Sequence, residues 1–269
     1  MSLSKAFAGI VTALLGIQLL AASPARAQSD EPGCRPEMAS YRLPIQRINL
    51  AKDEVRLTFV GHATFLIETP GGVKAATDYN DYVRPPQTPD IATMNKAHST
   101  HNSRSPDPAI KQVLPGWDLG GQGAAKHDIR LGDMRVRNVP TNIRSYSGAT
   151  DFDGNSMFVF EIGDLCIAHL GHLHHPLEPG HLRALGRVDV VLFPVDGSYT
   201  LDQEGMLEVL KSLQAKLMIP MHFFGGSTLN RFLARSQELW PVERREQPVI
   251  TLSKAGLPAK PTIIVLPGN

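Results

Sequence analysis

Ten histidines stand in a chain of 269 residues, and seven of them fall into three short stretches. His98 and His101 come just after the apolar run Ile91–Met94. His169 ends the run Leu165–Leu170, with His172, His174 and His175 directly beyond it. His222 follows Leu217–Pro220, and one carboxylate, Asp78, follows Val73–Thr77 in the same manner. Imidazoles and carboxylates gathered at the ends of neighbouring strands are what zinc, manganese and iron sites require. A single histidine past a strand is more often a loop residue than a ligand, so His62, His127 and His181 are assigned no role. His175 precedes Pro176 and borders the group at most. The clustered histidines are harder to ascribe to chance, because a scarce residue recurs at the same kind of position.

The elements that must hold these side chains are short. Runs rich in β-branched and aromatic residues, bounded by Gly, Pro and Asp, predict strands at 56–60, 63–68 and 73–77, close enough in sequence for an antiparallel meander. Further strands are predicted at 91–94, 135–139, 157–162, 165–170, 188–193, 217–220, 249–252 and 262–266. The stretch 102–133, rich in Pro, Gly, Ser and Asp, reads as one long excursion. Asp153-Gly154-Asn155-Ser156 reads as a turn, and Gly225-Gly226 as another. Helices are predicted at 179–185, from an Asp202 cap through Leu213, and at 228–239; Met206, Leu207, Val209, Leu210 and Leu213 recur at helical spacing. Strands first in runs and later alternating with helices imply an α/β domain of two sheets flanked by helices.

Composition narrows the class. The balance of 27 Lys+Arg against 26 Asp+Glu gives no basic footprint for nucleic acid, and two Cys exclude a disulfide scaffold or a Cys-rich zinc module. Lys5, the apolar run Ala6–Ala22 and the small-x-small site Ala25-Arg26-Ala27 predict a signal peptide over 1–27, cut before Gln28. The expected location is therefore periplasmic or secreted, with no stable membrane anchor after cleavage. Residues 28–54 form a Pro- and charge-rich leader, and 55–269 a single domain. Export makes a Cys34–Cys166 disulfide chemically open, although Cys166 sits in an apolar run and reads first as a small buried hydrophobe.

Phe59-Val60-Gly61-His62-Ala63-Thr64-Phe65-Leu66-Ile67-Glu68, followed by Thr77-Asp78, resembles the opening hairpin of the metallo-β-lactamase superfamily, nearest its lactonase-like and phospholipase-like branches. Lys96-Ala97-His98-Ser99-Thr100-His101 stands where that family carries H-x-H-x-D-H. Ile167-Ala168-His169-Leu170-Gly171-His172 stands at its His-x-Gly-Asp strand, and Asp189–Pro194 and Met218-Ile219-Pro220-Met221-His222 resemble its late strands. The resemblance spans roughly residues 55–240 and implies a four-layer α/β/β/α sandwich with the site at one edge between the sheets.

Carried over position by position, the resemblance implies metal ligands at His98, His101, His169, His172 and His222. Lys96, Thr100 and His172 replace three family ligands, so it implies a reduced site with one zinc ion, manganese and iron being alternatives. Asp78 is expected to orient a ligand, and Lys96 either to stabilise an oxyanion or to stand solvated or ion-paired. Arg144 is a candidate anion contact. The implied activity is hydrolysis of a small-molecule ester, lactone or phosphodiester by metal-activated water. The competing expectation, founded on the replaced ligands, is an inactive fold relative that binds a ligand, a metal or a protein. Neither the substrate nor an oligomeric state is legible.

Overall fold

In the computed structural model, residues 50–120, 123–145 and 147–268 are described. The expected signal peptide, most of the expected leader, Cys34 and Tyr146 lie outside them. The meander is β1 (Val55–Gly61), β2 (Thr64–Glu68) and β3 (Lys74–Ala76), followed by β4 (Ile91–Met94) and β5 (Gln112–Pro115). Then come β6 (Asp128–Leu131), β7 (Met134–Arg144), β8 (Thr150–Ile162) and β9 (Leu165–His169). The second half alternates: α1 (Pro179–Leu185), β10 (Val190–Pro194), α2 (Gln203–Leu213), β11 (Leu217–Met221) and α3 (Gly226–Ser236). Three short strands close the domain: β12 (Val242–Arg244), β13 (Val249–Leu252) and β14 (Thr262–Val265).

Two mixed sheets result. One has the order β13-β1-β2-β3-β4-β5, the other β12-β14-β11-β10-β9-β8-β7-β6. β9, β10 and β11 run parallel and are apolar on both faces, as strands covered on both sides must be. Between the sheets lie Phe59, Phe65, Phe158, Phe160, Leu192 and Ile219, all buried. Phe59 and Phe65 stack with ring centres 4.7 Å apart. The outer face of the eight-stranded sheet packs against Leu185 of α1, Met206 and Leu210 of α2, and Phe232 of α3. Asp202 caps α2 by accepting from Gly205 N–H at 2.9 Å, the role its position predicts. Tyr79 and Ile110, both outside the helices and strands, pack with Ala76, Ala92 and Met94 in a separate cluster. The fold is thus the expected α/β metallo-β-lactamase-like one, with few helices among the described residues.

Two local expectations are corrected. The stretch 102–133 is not structureless: β5 pairs in parallel with β4, and β6 pairs antiparallel with β7. Such short strands are specified by distant partners, which a local pattern does not reveal. The turn expected at 153–156 is part of β8. Asp153 has a left-handed φ of 55°, and the ladder to β7 shifts register between Thr141 and Ile143. The left-handed residue therefore makes a bulge that bends the strand without reversing it. Cys166 is half-buried, with its sulfur 3.5 Å from Arg187 Nη2.

Candidate metal centre

Every residue of the site leaves the end of a strand or the tight turn between two. His62 is in the β1–β2 turn, Asp78 two residues past β3, and His98 and His101 past β4. His172 and His174 follow β9, Asp196 follows β10, and His222 follows β11. Among the described non-glycine residues with positive φ are His62 (51°), Asp78 (40°) and His222 (55°). Left-handed backbone is unfavourable for side chains of this kind and concentrates at functional sites. The strain is held by cross-links: His222 N–H donates to His62 O at 2.8 Å, tying one sheet to the other. Asn95 Nδ2–H donates to Asp78 Oδ1 at 2.9 Å, and its Oδ1 accepts from Ser156 N–H at 2.7 Å.

The imidazoles form one cluster. Ring centres are 5.1 Å apart for His62 and His101, 4.2 Å for His62 and His222, and 5.0 Å for His101 and His222. His172 lies 4.7 Å from His98, 4.8 Å from His101 and 4.9 Å from His222. One nitrogen from each of His62, His101 and His222 falls within 4.8 Å of the other two. His101 Nδ1 is 2.5 Å from Asp78 Oδ2, and His222 Nδ1 is 3.0 Å from Asp196 Oδ1, the latter out of line for a good hydrogen bond.

Burial disfavours the charged form of His62, His98, His101 and His172. Burial, reinforced by His222, lowers His62 to about 4. Burial, with His222, His62 and His98 adding to it, holds His101 well below the ordinary histidine value. Burial pushes the Asp78 carboxyl up to about 6, against the pull of His169 and Asn95. Burial also opposes ionisation of Asp196, but His222, the Thr200 hydroxyl and the Ser198 amide hold its carboxyl below the usual range.

The donor set fits a metal. A neutral His101 that gives its Nδ1 proton to Asp78 has a bare lone pair on Nε2, and His222 has Asp196 Oδ1 beside its Nδ1, though out of line. The two Nε2 atoms are 3.1 Å apart. At that distance one Nε2–H can donate to the other nitrogen, or two bare lone pairs can share a cation. Two ligands at about 2.0–2.1 Å from one tetrahedral zinc would be about 3.4 Å apart.

The placement of the expected site residues is uneven. His98, His101, His172 and His222 are brought together. His169 is not: its Nε2 is 2.9 Å from Ala63 O and its Nδ1 accepts from Gly171 N–H at 3.2 Å. Both ring nitrogens are thus taken by backbone, and the side chain braces β9 against the β1–β2 turn. Lys96 is half-exposed and ion-paired to Asp151 at 2.7 Å. Arg144 spends its Nη2 on Thr200 O at 2.9 Å and Ser198 O at 3.4 Å, which joins two loops. Two contributors were missed. His62 is isolated in the sequence, yet the left-handed turn aims it at His222. Asp196 carried no signal beyond its position after an apolar strand, which Asp78 shares.

Beside the cluster lies a cavity of about 520 Å³, walled by Lys96, Ala97, His98, Ile143, Arg144, His172 and Tyr199 among others. Tyr199, exposed on its wall, has its ring 5.6 Å from that of the exposed Phe224.

The chain is similar to known proteins in sequence and in fold. A UPF0173 metal-dependent hydrolase of Thermoplasma acidophilum is 28% identical over 150 residues, covering 50% of this chain and 66% of that protein. A UPF0173 protein of Pyrococcus abyssi is 23% identical over 195 residues, covering 66% of this chain and 89% of its own length. Among solved structures, a candidate zinc-dependent hydrolase of the metallo-β-lactamase superfamily from Thermotoga maritima superposes with a TM-score of 0.60. It is 26% identical, and the match covers 80% of this chain and all of that one. Igni18, a metallo hydrolase of Ignicoccus hospitalis, shares the fold with a TM-score of 0.54 at 20% identity, over 74% of this chain and 99% of its own. Residues 56–222 match the model of the beta-lactamase superfamily domain, and the chain belongs to that family.

Proposed function

We propose that the protein is a metal-dependent hydrolase of small molecules, with one zinc ion held by His62, His101 and His222. The observation that carries this reading is the pair of Nε2 atoms 3.1 Å apart, each ring backed by an aspartate. Three histidines with a fourth position open are the ligand count of a catalytic zinc site, whereas a structural site is closed. Bound zinc supplies a water whose pKa is lowered to about 7 and a Lewis acid for a carbonyl or phosphoryl oxygen.

The chain's own residues do the rest. Asp78 fixes the ring orientation of His101, and Asp196 places a carboxylate 3.0 Å from His222 Nδ1. His98 closes the cluster on the cavity side, its ring 6.0 Å from His101. Ala97, Ile143 and Tyr199 give the cavity an apolar wall for the body of an ester, lactone or phosphodiester. The Lys96–Asp151 ion pair lies at its edge. The protein is exported to the periplasm or beyond, with Gln28 as its new N-terminus.

Lys96, Thr100 and His172, standing where the family motif carries ligands, favour a second reading: a relative that binds metal or ligand without turnover. Elemental analysis of the purified protein, paired with hydrolysis assays on one carboxylic ester, one lactone and one phosphodiester, separates the two. Stoichiometric zinc with turnover of any of the three supports the hydrolase; zinc without turnover supports the binding protein; absence of metal defeats the metal site.

A further inference from the structure

The hydrogen bonds along one edge of the imidazole cluster fix the position of a proton. Arg144 N–H points at His174 Nδ1 across 3.1 Å, and the side-chain Nε–H of Arg144 lies 3.3 Å from the same atom. Both groups can only donate, so His174 Nδ1 accepts and carries no hydrogen. An imidazole with a bare Nδ1 keeps its proton on Nε2. His174 Nε2 is 2.6 Å from His172 Nδ1, so His174 donates there and His172 accepts. The same rule then puts the proton of His172 on Nε2. The relay from Arg144 through His174 leaves His172 room for one proton, at that atom alone.

His172 Nε2 is buried and has no hydrogen-bond partner among the described residues. The rings of His98, His101 and His222 surround it, and the same residue lines the 520 Å³ cavity. A buried donor without an acceptor is costly, and native structures rarely keep one without a use. Its backbone is pinned, since His172 N–H donates to Asn155 Oδ1 at 2.7 Å. The arrangement inverts that of His101. His101 gives away its Nδ1 proton and offers a bare Nε2, as a ligating histidine does. His172 accepts at Nδ1 and offers a proton at Nε2, so to ligate a metal it would have to surrender its only hydrogen.

We propose that His172 is a hydrogen-bond donor to substrate, its Nε2–H meeting an anionic or polarised oxygen of an acyl or phosphoryl group brought against the imidazole cluster from the cavity. Arg144 and His174 are positioning residues that lock the tautomer. Such a donor, fixed before the charge develops, stabilises an oxyanion without reorganising. The identity of that oxygen rests on the hydrolase reading; the tautomer does not.

Histidine-selective ¹⁵N NMR of the metal-free protein reads the tautomer directly. The expected spectrum shows His172 protonated at Nε2 and bare at Nδ1, its signals assigned by their loss in His172→Gln. Zinc titration of His172→Ala should match the wild type within a few-fold. Acetate, a carboxylate probe, should bind zinc-loaded His172→Ala about tenfold or more weakly than wild type, the loss expected for a hydrogen bond to a charged group. His172→Gln, which keeps an N–H donor, should recover part of that affinity. A bare Nε2 in the wild type, loss of zinc from His172→Ala, or unchanged acetate binding overturns the proposal. Should the wild type take up no zinc, the hydrolase reading fails instead, and the donor role is decided by the tautomer and by acetate binding to the metal-free protein.

Discussion

His101 and His222 meet through their Nε2 atoms at 3.1 Å, and each has an aspartate at its other nitrogen. Asp78 and His101 follow strands of the six-stranded sheet, Asp196 and His222 strands of the eight-stranded one. The centre is therefore a seam, with one Asp–His pair contributed from each side. His62 bridges it, since its carbonyl accepts from His222 N–H while its ring packs on both.

Removing either half of the seam should empty it. His101→Ala and His222→Ala are expected to lose more than about 100-fold in zinc affinity, because even the aspartates behind them should each be worth about 10–100-fold. Competition with a chromophoric chelator measures both. Asp78→Asn and Asp196→Asn that bind zinc as tightly as wild type would remove the case for oriented ligands.

His169→Ala should act on stability and leave zinc in place. The substitution strands the buried Ala63 carbonyl and Gly171 amide and opens a cavity, at a combined cost of about 2–5 kcal/mol. Chemical denaturation reads the loss and elemental analysis the retained metal. Zinc lost in a variant that stays folded would return His169 to the ligand set.

Acidification should destabilise the metal-free protein. Folded His62 and His174 titrate at about 4, pushed down chiefly by burial, against an ordinary 6.5. Between those values the unfolded chain binds protons that the folded chain refuses, so stability falls as pH falls. Asp78, raised to about 6, works the other way, holding a proton that the unfolded chain has released. The two imidazoles outweigh the single carboxylate, and His101 and His172, also lowered by burial, add to them. The melting temperature should be lower at pH 5 than at pH 7; a higher one would mean the rings are charged when folded.

Gly171 should tolerate no side chain. It has a left-handed φ of 59°, and a Cβ there would come within 2.4 Å of Asn95 Nδ2 and 2.5 Å of Asn155 Oδ1. Asn95 also holds Asp78, so Gly171→Ala should cost about 1–3 kcal/mol and weaken zinc binding as well. Denaturation and chelator competition on the same sample test both; a change in neither would show that the network gives way freely.

N-terminal sequencing of the native protein should find Gln28 first. An intact Met1 in a soluble cytosolic fraction would defeat the proposal of export.

Periodicity alone determined much of the scaffold. The runs at 91–94 and 249–252, the helix at 179–185 and the Asp202 cap emerge where local pattern places them, because alternation and capping are properties of neighbouring residues. The recurrence of histidine past strand ends likewise marked the region of the site, since strands side by side bring their ends together. Tertiary structure decided which nitrogen faces what. His169 and His172 are three residues apart in one motif, yet one is consumed by backbone and the other stands proton-out in the cluster. His62, in no cluster by sequence, joins the centre through a left-handed turn. The role of an imidazole depends on what its second nitrogen meets. For His101 that partner is 23 residues away; for His172 it is His174, whose own tautomer is set by Arg144 at the end of β7, 30 residues before His174, and no local pattern records either.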